Sequence, residues 1–277
     1  MPELPEVELV ARSLDRLVAG RRILSAKLLR PGLAPETPPA RFARQLRGRA
    51  IERVTRRGKH IIFELDAGLA LITHLRMTGR FLLLPPPAPP PKYMHALFRL
   101  DDARRLAFTD QRHFGMMKLL RAEELTEARE LRSLAPEPFS EDFTPDYLRS
   151  VFSRTRRTLK EVLLDQTKVT GLGNIYAAEV MFVARVSPFV QASRLSPRRL
   201  PLLHRAVLEV LGEAISHGST MNVNPEDFES GYYSGPYEGR WRVYAREGEP
   251  CTVCRARVRR VAHAGRSTFY CPRCQKR

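Results

Sequence analysis

Apolar residues in the first eighteen positions recur at Val7, Ala11, Leu14 and Val18, three to four apart, and predict an amphipathic helix over 5–18. Pro5 suits its first turn and Gly20 its C-terminal stop. The pattern then becomes that of strands: 22–29, 50–65, 70–84 and 95–109 read as extended, the last as a hairpin turning at Asp101-Asp102. PPPAPPP (85–91) interrupts them; with so few backbone donors it can be neither helix nor inner strand and predicts an exposed polyproline connection. The first 130 residues thus read as one helix attached to a mainly β domain. From about 146 the helical period returns in DYLRSVFS, TLKEVLLD, NIYAAEVMFVA and PRRLPLLHRAVLEVLGEAISHG, with turn signals at Gly171 and Gly173. The proline-punctuated 132–145 reads as a linker. After Gly218, STMNVNPEDFESGYYSGPYEGR keeps no steady period and reads as loop.

A chain of 277 residues with 43% hydrophobic positions can bury a sizeable core, in two domains more readily than one. Its charge is less ordinary. Lys plus Arg number 47 against 30 Asp plus Glu, a net +17, which calls for a polyanionic partner: nucleic acid first, an anionic membrane surface second. No run of 18 apolar residues exists and the N-terminus carries no basic-then-hydrophobic leader, so the chain reads as cytosolic.

All four cysteines lie near the C-terminus, as Cys251, Cys254, Cys271 and Cys274. Two Cys-x2-Cys pairs separated by sixteen residues suit two knuckles that offer four thiolates to tetrahedral Zn2+. Such a closed set leaves no open coordination position, so one structural zinc is expected, holding a β-hairpin whose Arg257, Arg259, Arg260 and Arg266 face a phosphate backbone. Residues 241–277 hold ten Lys or Arg against two Glu, nearly half of the surplus charge.

Elsewhere, QTKVTGLGNIYAAEV (166–180) places glycines before a helix, either an anion-accepting N-terminus or a plain tight turn, with Asn174 at its start. THLRMTG (73–79) and TDQRHFG (109–115) put basic, aromatic and thioether side chains at strand ends. His74 and Met77 could be structural; Phe114 beside Gly115 either packs inward or wedges between bases, with Arg112 as hydrogen-bond donor. The opening MPELPEVE has its own chemistry. Once Met1 is removed, Pro2 is an N-terminal secondary amine able to attack a sugar C1′ and form an iminium, an electron sink. Glu3 lies beside it as a proton shuttle and Glu6 one turn further on. The alternative is that Pro and Glu merely favour a helix start and its dipole.

MPELPEVE closely resembles the start of the formamidopyrimidine-DNA glycosylases, bacterial enzymes that excise oxidised purines. RRGKHIIFEL, HLRMTG, TDQRHFG, LGNIYAAE and HAGRSTFYCPRCQ follow in the family's order, so the resemblance covers the whole chain. It implies an α+β multidomain fold: an N-terminal helix plus β-sandwich domain (1–131), a linker (132–145), a helical DNA-binding domain with a helix–two-turns–helix element and a lesion-capping loop (146–236), and a zinc finger (237–277). It implies a monomer that works in the bacterial cytoplasm on damaged double-stranded DNA, excising 8-oxoguanine and formamidopyrimidines and cleaving the abasic site by β,δ-elimination.

The resemblance also implies roles. Pro2 is similar to the Schiff-base nucleophile, Glu3 to the proton donor and acceptor, Lys59 to the lysine of β-elimination and phosphate binding, and Arg266 to the finger arginine that assists δ-elimination. Glu6, His74, Arg154, Arg156 and Asn174 match DNA-binding positions. Met77, Arg112 and Phe114 match the trio that fills the gap behind a flipped base. Where the family often has His-x-His, this chain has Tyr93 and His95. Two rivals stand beside this reading: the endonuclease VIII-like branch, which takes oxidised pyrimidines but typically has glycine where Leu4 stands, and a non-enzymatic DNA-binding zinc protein, against which intact Pro2, Glu3 and Lys59 speak.

Overall fold

The computed structural model describes residues 1–227 and 234–276. The chain forms two compact units, Met1–Arg132 with Gly218–Pro236, and Ser133–His217 with Tyr237–Arg277. The first begins with helix α1 (Leu4–Val18), strand β1 (Ile23–Leu28) and helix α2 (Pro39–Leu46). Seven strands follow: β2 (Ile51–Arg57), β3 (His60–Leu65), β4 (Leu69–His74), β5 (Gly79–Leu84), β6 (Met94–Leu100), β7 (Arg105–Asp110) and β8 (Met116–Arg121). They form two four-stranded antiparallel sheets, ordered β1-β6-β7-β5 and β2-β3-β4-β8. Inward side chains of both, among them Ile61, Phe63, Leu71, Phe81, Phe98 and Phe108, pack with Val7, Leu14 and Val18 of α1 in one core.

The extended stretches expected at 50–65 and 70–84 are each two strands. The first reverses at Gly58-Lys59, with Gly58 at φ +58; the second reverses through Leu75–Thr78, where Gly79 lies so close that a Cβ would meet the Leu75 carbonyl at 2.4 Å. Both hairpins are short enough for their apolar runs to read as one. Helix α2 was not expected. Its apolar anchors are Phe42 and Leu46 alone, set among arginines, too few for a period to stand out. The hairpin at Asp101-Asp102 joins β6 to β7, and the prolines at 85–87 are exposed.

The second unit carries α3 (Pro145–Ser153), α4 (Leu159–Leu164), α5 (Asn174–Val183) and α6 (Leu200–Ser216), then the hairpin β9 (Arg259–His263) and β10 (Arg266–Tyr270). Between α4 and α5 the chain makes two turns braced by one side chain: Gln166 accepts the Gly171 N–H at 3.0 Å and donates to the Leu172 carbonyl at 2.8 Å. The grouping of 146–236 as a single domain parts from the observed units at Gly218, beyond which the chain packs with the β-rich unit. Leu83 N–H donates to the Pro225 carbonyl at 2.7 Å and Thr220 bonds Glu6. Of the expected lesion-capping loop, residues 228–233 lie outside the described residues. Among those described, no helix is long and apolar enough to cross a membrane.

Candidate active site

Helix α1 starts at Leu4 because Glu3 and Glu6 form a capping box, the Glu3 N–H donating to Glu6 Oε2 at 2.8 Å. The other Glu6 oxygen accepts the Thr220 hydroxyl at 2.9 Å. Glu6, expected at the DNA, is thus 1% exposed and engaged inside the protein. Pro2 and Glu3 are buried with it. Burial holds the pKa of the Met1 terminal amine, one residue before Pro2, below its ordinary value; the charges of Glu3 and Glu6 raise it, those of Lys59 and Arg112 lower it. Four of the residues singled out in the sequence therefore act on one amine. Lys59 reaches this setting from the β2–β3 turn, 5% exposed.

His74 closes β4, and its Nδ1 accepts the Arg76 N–H at 2.9 Å, which leaves the proton on Nε2. Burial, then the charges of His60 and Arg76, push its pKa down to about 2, so it is a neutral donor. The His60 ring meets it edge-on at 4.7 Å.

The β7–β8 turn is organised by Asp110, which the sequence did not single out. Its carboxylate accepts the Gly115 N–H at 2.6 Å, the Arg112 N–H at 3.1 Å and the Thr78 hydroxyl. Burial raises its pKa, but those bonds outweigh it and hold the acid below its usual range. Gly115 is required here, because a Cβ would meet the Phe108 ring at 2.8 Å. Thr78 ties the Met77 turn to the same carboxylate, so Met77, Arg112 and Phe114 stand on linked supports. Phe114 is 55% exposed, with the Arg112 guanidinium 5.1 Å from its ring centre. Tyr93 is exposed, whereas His95 is buried and stacked on His113 at 4.9 Å, their ring nitrogens 2.9 Å apart. His113 is a second residue the sequence did not mark; only its place inside TDQRHFG could have drawn attention.

In the second unit the four cysteine sulfurs lie within 4.8 Å of one another. Cys251 and Cys274 are 3.8 Å apart and Cys254 and Cys271 3.4 Å, against edges of about 3.8 Å for a tetrahedron with Zn–S of about 2.3 Å. Backbone N–H groups of Val253 and Cys274 point at Cys251 and Cys271 sulfurs, each at 3.4 Å, as thiolates require. The cluster is a closed site for one structural zinc. Beside it, Arg266 opens β10, exposed. The next residues are held from beneath: the Ser267 carbonyl accepts Lys160 Nζ at 2.9 Å and Asn174 Nδ2 at 3.1 Å, and Lys160 also donates to Thr268 Oγ1 at 2.6 Å. Asn174 is therefore not the cap of α5, a place taken by Gly173; its amide serves the finger. Burial, with the Arg266 charge, pushes the Lys160 pKa down to about 8. Glu179 accepts the N–H groups of Arg242, Val243 and Tyr244 at 2.8–2.9 Å, fixing the approach to the finger. Arg154 and Arg156 are exposed just past α3, while Arg157 is spent on Asp165 at 2.6 Å.

Three family models match this order of parts: the formamidopyrimidine-DNA glycosylase N-terminal domain over residues 1–117, its H2TH domain over 134–224, and the zinc finger found in FPG and IleRS over 248–277. The formamidopyrimidine-DNA glycosylase of Bacillus licheniformis is 41% identical over all of this chain and all of its own length. This chain belongs to the formamidopyrimidine-DNA glycosylase family. The protein of that name from Desulforamulus reducens is 39% identical over 100% of this chain and 99% of its own. Among solved structures, the Lactococcus lactis Fpg in complex with abasic-site DNA superposes with a TM-score of 0.91 at 33% identity, covering 99% of this chain and 100% of that one. The same protein with FAPY-dG DNA gives 0.91. As a member of this family, the chain is an enzyme of base excision repair with glycosylase and abasic-site lyase activity on damaged DNA.

Proposed function

We propose that this enzyme excises oxidised purines, 8-oxoguanine and formamidopyrimidines, from duplex DNA and cleaves the abasic product by β,δ-elimination through a Schiff base on Pro2. The observation that carries the reading is the buried start of the chain: Pro2, Glu3 and Lys59 are all withdrawn from solvent, and the charges of Glu3, Glu6, Lys59 and Arg112 reach the Met1 amine one residue before Pro2. In the translated chain the Pro2 nitrogen is an amide and no nucleophile. Removal of Met1 makes it a secondary amine where burial favours the neutral, attacking form.

The amine attacks C1′, and the glycosidic bond breaks with its electron pair leaving on the base, which takes up a proton. The nitrogen loses its own proton and the C1′–O4′ bond opens to the iminium, Glu3 delivering the proton to O4′. Loss of a proton from C2′ then breaks the C3′–O bond, and loss from C4′ breaks the C5′–O bond, the iminium accepting the electrons each time. Water hydrolyses the imine and frees Pro2. Lys59 and Arg266 supply cations for the departing phosphates; His74 Nε2–H, Asn174, Arg154, Arg156, Tyr93 and His95 address the backbone. Met77, Arg112 and Phe114 fill the stack behind the extruded base, which costs a few kcal/mol of stacking and pairing, least at a damaged site. Zinc, with four sulfur ligands, supplies shape rather than a reacting atom. The Lactococcus lactis relative, solved on abasic-site and FAPY-dG DNA, supports the substrate class; its complex with an oxidised pyrimidine keeps a wider lesion range in view.

Borohydride trapping on 8-oxoguanine DNA, followed by peptide mass spectrometry, tests the nucleophile: the adduct is expected on Pro2 of a chain lacking Met1. An adduct on Lys59 would overturn the assignment. Faster excision of thymine glycol than of 8-oxoguanine would move the enzyme to the oxidised-pyrimidine branch.

A further inference from the structure

We infer that the outer face of the sheet β1-β6-β7-β5 carries a second binding site, a basic cleft for an acidic, partly apolar peptide in extended conformation. The polyproline connection is the starting point. It folds back onto the sheet, Ala88 packing against the cluster of Leu82, Leu84 and Ala107, and the Arg105 guanidinium donates to the Ala88 carbonyl. The prolines thereby become a fixed wall. Between them and the strands lies a cleft of about 520 Å³, lined by Pro86, Pro87 and Leu97 and by the cations Lys27, Arg99 and Arg105, with no carboxylate in its lining.

The strand registers set the spacing of those cations. Arg99 pairs with Arg105 across β6–β7, and Lys27 pairs with Leu97 across β1–β6, one step further along the same face. Like charges directly opposite one another destabilise a sheet unless something relieves them. Here only the Ala88 carbonyl, on Arg105, does so: Lys27 and Arg99 have no ion pair among the described residues, whereas Asp102, at the nearby hairpin tip, is bonded to Arg104 at 2.6 Å and lies 3.3 Å from Arg21. A carboxylate-bearing ligand supplies the missing partner. The two cationic levels are two residues apart along the strands, about 6.6–6.8 Å, which is also the repeat of every second side chain in an extended peptide. Leu97 and the prolines offer apolar contact between those levels, which suits a peptide and gives a duplex backbone nothing. The cleft shares no residue with the catalytic machinery.

Fluorescence anisotropy with a labelled ten-residue peptide alternating Asp and Ala tests this, read while an abasic-analogue duplex saturates the DNA site. Binding is expected to persist under the duplex, to be absent for a Lys-Ala peptide of equal length, and to weaken about tenfold in Lys27→Ser/Arg99→Ser. Lys27→Arg/Arg99→Lys should keep it, and excision of 8-oxoguanine should be unchanged in both variants. Displacement of the peptide by the duplex, or equal binding by the serine variant, overturns the inference. So does a loss of affinity for undamaged duplex in the serine variant, which would make the face an extension of the DNA surface.

Discussion

The start of the chain and its zinc finger hold their functional groups by different means. Pro2 and Glu3 stand at the head of a helix whose Val7, Val10, Leu14 and Val18 are sunk in the apolar core between the two sheets, and the neighbouring turns are clamped by the buried carboxylates of Glu6 and Asp110. Arg266 stands on a two-stranded hairpin that offers little more than Val258 and Phe269 to a core and borrows Ala178 and Phe182 from α5. There the clamps are thiolates on metal, with Lys160 and Glu179 bracing the strand and its approach. Where apolar surface suffices, a carboxylate can be given to shaping a turn. Where it does not, ligation must first create the fold.

The largest expected effect breaks the comparison on the finger side. Stripping zinc with a strong chelator removes on the order of 10 kcal/mol of folding free energy from a site of this kind. Hydrogen exchange should then show amides of β9 and β10 open, those of β3 and β4 still protected, and DNA affinity gone. Metal-free protein that still bound DNA at full strength would remove the finger from the interface.

On the other side, Glu3→Gln nearly preserves shape while ending proton transfer. Base excision should fall by about 10²–10⁴-fold with DNA affinity and thermal stability little changed. A parallel loss of stability would mean that Glu3 matters as the helix cap alone. Asp110→Ala sharpens the contrast between carboxylate and metal clamps. It strips the Gly115 N–H of its acceptor and leaves the Arg112 N–H and the Thr78 hydroxyl only each other, costing about 1–3 kcal/mol. Gap-filling by Phe114 should suffer, read as slower excision with zinc content unchanged.

Much of this was legible in the sequence because it rests on local pattern. The α1 period, the doubled Cys-x2-Cys and the helical half need only neighbours in the chain to be seen. Asp110, Lys160, Glu179 and His113 were not legible. For Lys160 and Glu179 the meaning lies in partners far along the chain, Ser267 and Val243, and a lone lysine or acid in a helix reads as solvated surface. Asp110 and His113 sit in a turn whose shape, and whose links to Thr78 and His95, no spacing rule shows. Glu6 shows the same limit from the other side: its motif was plain, but its bond to Thr220 joins positions that no spacing rule connects.

The smallest effect separates the two regions by acid. Burial holds His60 at about 4 and His74 at about 2, and lowers His95 as well, all in the β-rich unit. The folded state therefore binds fewer protons than the unfolded chain once pH drops below the ordinary histidine value of about 6.5. Stability from these groups is whole above that pH and is lost as pH falls, first through the window between about 6.5 and about 4, each histidine contributing at most about 1.4 kcal/mol per pH unit. Unfolding monitored through β3 and β4 amides at pH 7, 6 and 5 should show this slope. His74→Gln should flatten it by about one proton whatever it does to stability at pH 7, since it removes a proton acceptor from the unfolded chain. Zinc release followed with a chromogenic indicator over the same range reads the finger, where acid acts on the sulfur ligands, and should be indifferent to that substitution. A slope that His74→Gln leaves intact would mean that this ring charges readily in the folded protein, and its neutral Nε2 donor would have to be abandoned.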